Sequence, residues 1–281
     1  MSSTQLVNVP ASGILSTAVE SVQMTHYNGD ECVAISVTPA GVPGLLFHLR
    51  VSDGHGALEQ ITTPSGGASS PAPLFLYGPG AEPSSMTFKH GPFMTMQVVF
   101  KPHALKTLFG LNASALANGW ARLDEFGAAG LTDLLTEARG DQERVRLLTS
   151  FLMSKLEQEK PRDLLVEEGL WLIDRNPGGL QVRDLLRALS ISERQLERRF
   201  SQTVGLSLQT YLRLRRFNEA VRLIRTRRFA RLADVAATLN YSDQSHFNRE
   251  IKAFSGVTPS SLAQRVDQLQ SAQAGLSALE R

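Results

Sequence analysis

One pattern occurs twice in this chain, and it restricts the fold more than any other feature. In ADVAATLNYSDQSHFNREIKAFSGVTP, Ala233 to Pro259, the residues Val235, Ala236 and Leu239 keep helical spacing. Asn240, Tyr241 and Ser242 interrupt it, and Phe247, Ile251 and Phe254 resume it, which predicts a helix, a tight turn and a helix. A weaker copy precedes it in RDLLRALSISERQLERRFSQTVG. Asp184, Leu185, Leu186, Leu189 and Ser192 stand 50 residues before Asp234, Val235, Ala236, Leu239 and Ser242. Leu196, Arg198, Phe200 and Gly205 stand 51 residues before Phe247, Arg249, Ile251 and Gly256, so one residue is inserted in the turn or at the start of the second helix.

Helical geometry then sorts side chains by face. With Phe247 and Ile251 inward, Ser245 and Arg249 point outward, and Gln244 and Asn248 lie on the flank. With Leu196 and Phe200 inward, Arg194 and Arg198 turn outward together. These six are side-chain types that read base edges, Arg toward guanine and Asn or Gln toward adenine. Between the copies, SLQTYLRLRRFNEAVRLIRTR reads as one helix with Ser207 as N-cap and a face of Tyr211, Leu214, Phe217 or Asn218, Val221 and Ile224. About 20 helical residues span roughly 30 Å, close to the spacing of successive major grooves.

The stretch from about Leu180 to Leu262 resembles the DNA-binding domain of the AraC/XylS family of bacterial transcription regulators. The second copy carries the motif as Ala236-x-x-Leu239-x-Tyr241-Ser242-Asp243-Gln244-Ser245-His246-Phe247-Asn248-Arg249, closed by Gly256-Val257-Thr258-Pro259. The resemblance implies that Arg194, Arg198, Gln244, Ser245, Asn248 and Arg249 contact bases in double-stranded promoter DNA. The chain departs from the family pattern at Ser190 and Asn240, where Gly is usual, at His246, where an aromatic stands, and at Ile251, where Phe stands. Asn enters the left-handed region readily and Ser less willingly, so the first turn is expected to be strained.

Charge is divided unevenly. Residues 180–265 hold 16 Lys and Arg against 7 Asp and Glu, while the remainder holds 13 against 20. Of the 16 cations 15 are Arg, whose planar fork suits phosphate and guanine. The 281 residues suffice for two cores, and one cysteine, Cys32, allows no disulfide within the chain and fits a reducing cytoplasm. No apolar run approaches a membrane span, so a cytoplasmic protein is expected.

From Val19 to about Phe100 short apolar runs alternate with Gly- and Pro-rich turns: CVAISVT, GLLFHLRV, LFLY, MTFK and FMTMQVVF. They predict a small β-barrel or cupin-like sandwich, with TPSGGASSPAP as a mobile flap. The junction FKPHALKTLFG resembles the one that follows a cupin-like sensor in one branch of the same family, with His103 as a departure. Helices follow, including an amphipathic one over Asp141–Lys160 with Val145, Leu148, Phe151, Leu152 and Leu156 on one face. The fold class is therefore α+β: a sensor or dimerisation domain at 1–160, a linker at 161–180, a double helix-turn-helix domain at 181–265 and a C-terminal tail at 266–281.

Two readings of the N-terminal half stay open. In one it encloses a small-molecule effector among Phe47, Phe75, Tyr77, Phe88, Met94, Met96 and Phe100; in the other it serves only for homodimerisation or partner binding. RNA polymerase is a further candidate partner. A cupin-type metalloenzyme is the rival from another class. His26, His48, His55, His90, His103 and His246 form no close His-x-His pair followed by a carboxylate, and scattered loop histidines are usually solvated, so neither metal, cofactor nor catalytic residue is expected.

Overall fold

The structure is a computed structural model that describes residues 4–264 and 279–280, apart from 159, 227, 228 and 230. The strands are β1 (Thr4–Pro10), β2 (Val19–Tyr27), β3 (Val33–Val37), β4 (Gly44–Arg50), β5 (Leu58–Thr63), β6 (Gly67–Ser69), β7 (Leu74–Tyr77), β8 (Ser84–Phe88), β9 (Phe93–Phe100), β10 (Trp120–Arg122) and β11 (Leu279–Glu280). One antiparallel sheet runs β1-β2-β9-β4-β7-β10 and the other β11-β3-β8-β5-β6. The sheets face each other as an open sandwich. TPSGGASSPAP, expected as a flap, contains β6 and closes a hairpin on β5 with Ile61 opposite Ser69. β1 was not anticipated, because all seven of its residues are exposed and it shows no apolar alternation.

β4 and β9 are central and buried on both faces. On β9 the residues Met94, Met96, Val98 and Phe100 point to one side, into a core with Phe47, Leu49 and the helical layer. Phe93 points to the other side, against Phe88 and Phe75 between the sheets. The helical layer comprises α1 (Ala104–Phe109), ended by Gly110 at φ 69°, α2 (Leu131–Glu137) and α3 (Asp141–Leu156). Leu148 and Leu152 of α3 are fully buried on the sheet, so its apolar face covers the sandwich.

The C-terminal part holds α4 (Leu164–Arg175), α5 (Val182–Leu189), α6 (Glu193–Val204), α7 (Leu208–Thr226), α8 (Leu232–Thr238), α9 (Gln244–Ser255) and α10 (Pro259–Gln264). Val166, Leu170 and Ile173 of α4 share one core with Leu196, Phe200, Phe217, Phe247 and Ile251. The 161–180 stretch thus contributes a helix to that core. Asp163 caps α4 through the Val166 amide at 3.2 Å, and its carboxylate accepts two bonds from Arg199 of α6, at 3.0 and 2.6 Å. Burial pushes this carboxyl up, but the Arg199 pair, the Val166 amide and the Lys106 charge outweigh it and hold the group below the usual carboxylate range. Of the tail expected at 266–281, only residues 279–280 lie among those described.

The two parts touch. Gly205, at φ 86° after α6, lies so close to the N-terminal part that a Cβ would stand 2.6 Å from Pro79 Cγ and 2.7 Å from the Ala113 carbonyl oxygen. Asn218 of α7 donates its side-chain N–H to the Ala40 carbonyl at 3.2 Å. That resolves the ambiguous position on the strut: Phe217 is in the core and Asn218 faces the sandwich.

Candidate nucleic-acid interface

Each helix-turn-helix unit begins with the same device. Asp184 accepts from the Gln181 backbone N–H at 3.0 Å and Asp234 from the Arg231 N–H at 2.8 Å, fixing the first turns of α5 and α8. Each first helix then leaves through a left-handed residue, Ser190 at φ 49° and Asn240 at φ 55°. Asp243 caps α9 by accepting from the His246 N–H at 2.7 Å, and Ser192 stands at the N-cap of α6. From left-handed residue to N-cap the first turn is Ser190-Ile191-Ser192 and the second Asn240-Tyr241-Ser242-Asp243. The inserted residue of the 51-residue offset is therefore in the turn.

Ser190 enters the left-handed region, where an L-residue is disfavoured by about 1–2 kcal/mol. Ser190→Gly is expected to stabilise the domain by about 0.5–1 kcal/mol, less than the full relief because glycine loses more freedom on folding. Urea denaturation checks this; an unchanged or lowered midpoint would count against strain at Ser190.

The apolar sides of α6 and α9 are buried through Leu196, Phe200, Phe247, Ile251 and Phe254. Arg194 and Arg198 on α6, and Gln244, Ser245, Asn248 and Arg249 on α9, are all exposed. None of the three arginines makes an internal hydrogen bond or ion pair among the described residues, in contrast to Arg199, Arg213, Arg215 and Arg222. α7 joins the units over 19 residues, about 28 Å of axis, with the Ser207 hydroxyl accepting from the Thr210 N–H at 3.1 Å.

A residue that sequence reasoning missed holds α9 in place. Glu250, 2% exposed, accepts from Arg213 Nε at 2.8 Å and from the Tyr241 hydroxyl at 2.9 Å, with Arg216 at 4.0 Å. Burial, and then the Glu250 carboxylate, push the Tyr241 phenol above its ordinary range, so it remains a donor. Arg216 also lies over the Tyr241 ring at 5.3 Å. The signal was present: Glu250 occupies the i+3 position of the Phe247, Ile251, Phe254 stripe, where an unpaired charge could not stay.

The N-terminal sandwich contains a cavity of about 380 Å³ between its sheets. Phe75 and Tyr77 line it, with Leu46, Met86, Val99 and Trp120. Phe47, Met94, Met96 and Phe100 lie on the far side of the six-stranded sheet, and Phe88 is packed beside Phe93 at 4.3 Å between ring centres. Sequence reasoning missed Gln97, which lines the cavity and donates to the Tyr77 oxygen at 2.7 Å. Among the described residues no group of three His, Cys, Asp or Glu is placed to hold a metal ion, and no helix is long and apolar enough to cross a membrane.

A family model described as a helix-turn-helix domain matches residues 185–265, and one described as a domain of unknown function (DUF6597) matches residues 8–121. The F1 operon positive regulatory protein of Yersinia pestis is 38% identical over 68 residues, 24% of this chain and 22% of that protein. The HTH-type transcriptional activator AarP of Providencia stuartii is 28% identical over 91 residues, 32% of this chain and 67% of AarP. The chain thus spans about a fifth of the length of the first relative and two thirds of the second. The solved structure of ToxT from Vibrio cholerae is similar at a TM-score of 0.49 and 12% identity, covering 86% of this chain and 97% of ToxT. Residues 185–265 are thus a helix-turn-helix domain of the AraC type, similar to the corresponding part of these regulators.

Proposed function

We propose that this chain is a cytoplasmic, sequence-specific DNA-binding transcription regulator that presents α6 and α9 to successive major grooves of a promoter. The carrying observation is that three arginines and three amide or hydroxyl side chains stand exposed on the outer faces of two helices fixed to one strut. Phosphate contacts from the Arg-rich surface supply most of the affinity, and Arg194, Arg198, Gln244, Ser245, Asn248 and Arg249 supply the preference for sequence. Selection from a randomised duplex pool, followed by footprinting, tests it. Protection of two major grooves one turn apart is expected; protection of a single groove would remove α6 as a reader.

Arg249→Ala is expected to weaken binding to the selected site by about 5- to 150-fold, equivalent to about 1–3 kcal/mol, and to relax preference at one base pair. Equal weakening on all sequences would reassign Arg249 to phosphate.

Control by a small-molecule effector is the reading of the sandwich that its cavity favours. Ala40 lines the cavity and also accepts the hydrogen bond from Asn218 of α7, so an occupant touches a loop that bears on the strut. A second reading, self-association, draws on β1, an edge strand with Leu6, Val7 and Val9 each at least 40% exposed. Sedimentation with and without β1 separates the two. Contact with RNA polymerase is the remaining part of the proposal, tested by run-off transcription on the selected site.

A further inference from the structure

The inter-sheet cavity has a chemistry that narrows what it can hold. Its wall is largely apolar, with Leu46, Ile61, Phe75, Met86, Val99 and Trp120. Several polar groups at its border are already engaged with the protein. Trp120 Nε1 donates to Ser69 at 3.1 Å, Asn118 accepts from the Ala81 amide at 3.0 Å, and Glu82 accepts from the Ser65 amide at 3.1 Å. Among the described lining residues Glu82 is the one charged group. Among the described residues no lysine, arginine or histidine lines the space to receive an anion.

Gln97 is different. It is 5% exposed, its N–H donates to Tyr77, and its Oε1 has no hydrogen-bond partner. A buried amide oxygen left unpaired is unfavourable, and few such groups occur without a reason. Gln97 comes from the central strand β9, where neighbouring strands on both sides fix its position. The Tyr77 hydroxyl accepts from Gln97 and still has a proton to donate. The orphan oxygen has almost no accessible surface where it stands, so a ligand engages it when the Gln97 side chain turns into the space it lines, and with the amide end for end the orphan is a donor that a ligand hydroxyl serves equally.

We propose that this cavity binds a compact, uncharged, largely apolar molecule carrying a hydroxyl or N–H group, recognised by the orphaned Gln97 amide and the Tyr77 hydroxyl, and that it rejects carboxylates. The volume is near the lower end of ligand pockets, which favours a small ring system over an extended chain. An anion here would lie unpaired among apolar groups, with Glu82 adding repulsion.

This inference rests on the effector reading, but its test needs no DNA. Thermal melting and calorimetric titration of the full chain with naphthalene, 1-naphthol and 1-naphthoate compare three probes of one shape. The expected order is 1-naphthol about 10-fold tighter than naphthalene, roughly the worth of one hydrogen bond, with no stabilisation by 1-naphthoate. In Gln97→Leu the advantage of 1-naphthol over naphthalene is expected to vanish while naphthalene still binds, which also shows that the variant is folded. Should Gln97→Leu not fold, the wild-type order of the three probes decides. Binding of 1-naphthoate as tight as 1-naphthol, equal binding of 1-naphthol and naphthalene to the wild type, or no binding by any probe would overturn the proposal. Operator affinity measured on the same samples bears on effector control and not on the ligand class.

Discussion

Replacing Glu250 with alanine is expected to destabilise the C-terminal domain by about 3 kcal/mol and to abolish specific DNA binding at temperatures where the unchanged chain is fully folded. The carboxylate is 2% exposed and stands between Arg213, Arg216 and Tyr241. Removing it strands the Tyr241 hydroxyl and takes from Arg213 and Arg216 the counter-charge they share. Breaking a buried pair costs about 3–5 kcal/mol, and the lower end applies because Arg213 is 44% exposed and can rehydrate. Glu250→Gln keeps an acceptor for Tyr241 and should lose less. The coupling to function follows from position: Glu250 adjoins Arg249 on α9 and is bonded to α7, so it fixes the outer face of α9 relative to the strut. Urea denaturation followed by circular dichroism measures the loss. A midpoint unchanged in Glu250→Ala would show that the network contributes nothing net.

The C-terminal half was legible because its helices are buried on one face. Burial of Phe247 and Ile251 dictates the exposure of Ser245 and Arg249, and period alone reveals it. The sandwich was less legible for the opposite reason. β4 and β9 are apolar at both parities, so nothing in GLLFHLRV or FMTMQVVF tells which side meets a cavity and which meets a helix. Aromatic and sulfur-bearing residues were expected to line the cavity, yet Phe47 and Met96 face the helical layer while Leu46 and Gln97 face the inter-sheet space. Parity here is set by long-range strand pairing, Leu46 opposite Gln97 and Phe47 opposite Met96. Such pairing has no local signature.

The histidine of β4 was read with five others as a scattered, solvated side chain, and in the structure it is 0% exposed. A basic residue among the five buried apolar positions Gly44, Leu45, Leu46, Phe47 and Leu49 can be stable only if neutral, and the hydrogen bonds of His48 show how. Its Nδ1 accepts from the Leu58 backbone N–H at 3.1 Å, which leaves Nε2 to donate to the Ala72 carbonyl, also at 3.1 Å. Protonation would put a hydrogen where Leu58 already donates. Burial depresses the imidazole to about 4, with the Ala72 carbonyl opposing and the Lys89 charge adding to the shift. As pH falls from 6.5 the unfolded chain takes up a proton that the folded one refuses, so the folded state loses stability until about pH 4, where His48 protonates in place. At 1.36 kcal/mol per unit the loss is roughly 3 kcal/mol, confined to the sandwich. The protein should therefore unfold more easily at pH 4.5 than at pH 7, with His48 contributing about one proton to the slope. In His48→Gln the His48 share of that slope should disappear, since glutamine offers a donor and an acceptor and does not titrate, while His103, also lowered by burial, keeps its own share. A variant that keeps the full acid slope would assign the proton uptake to another group.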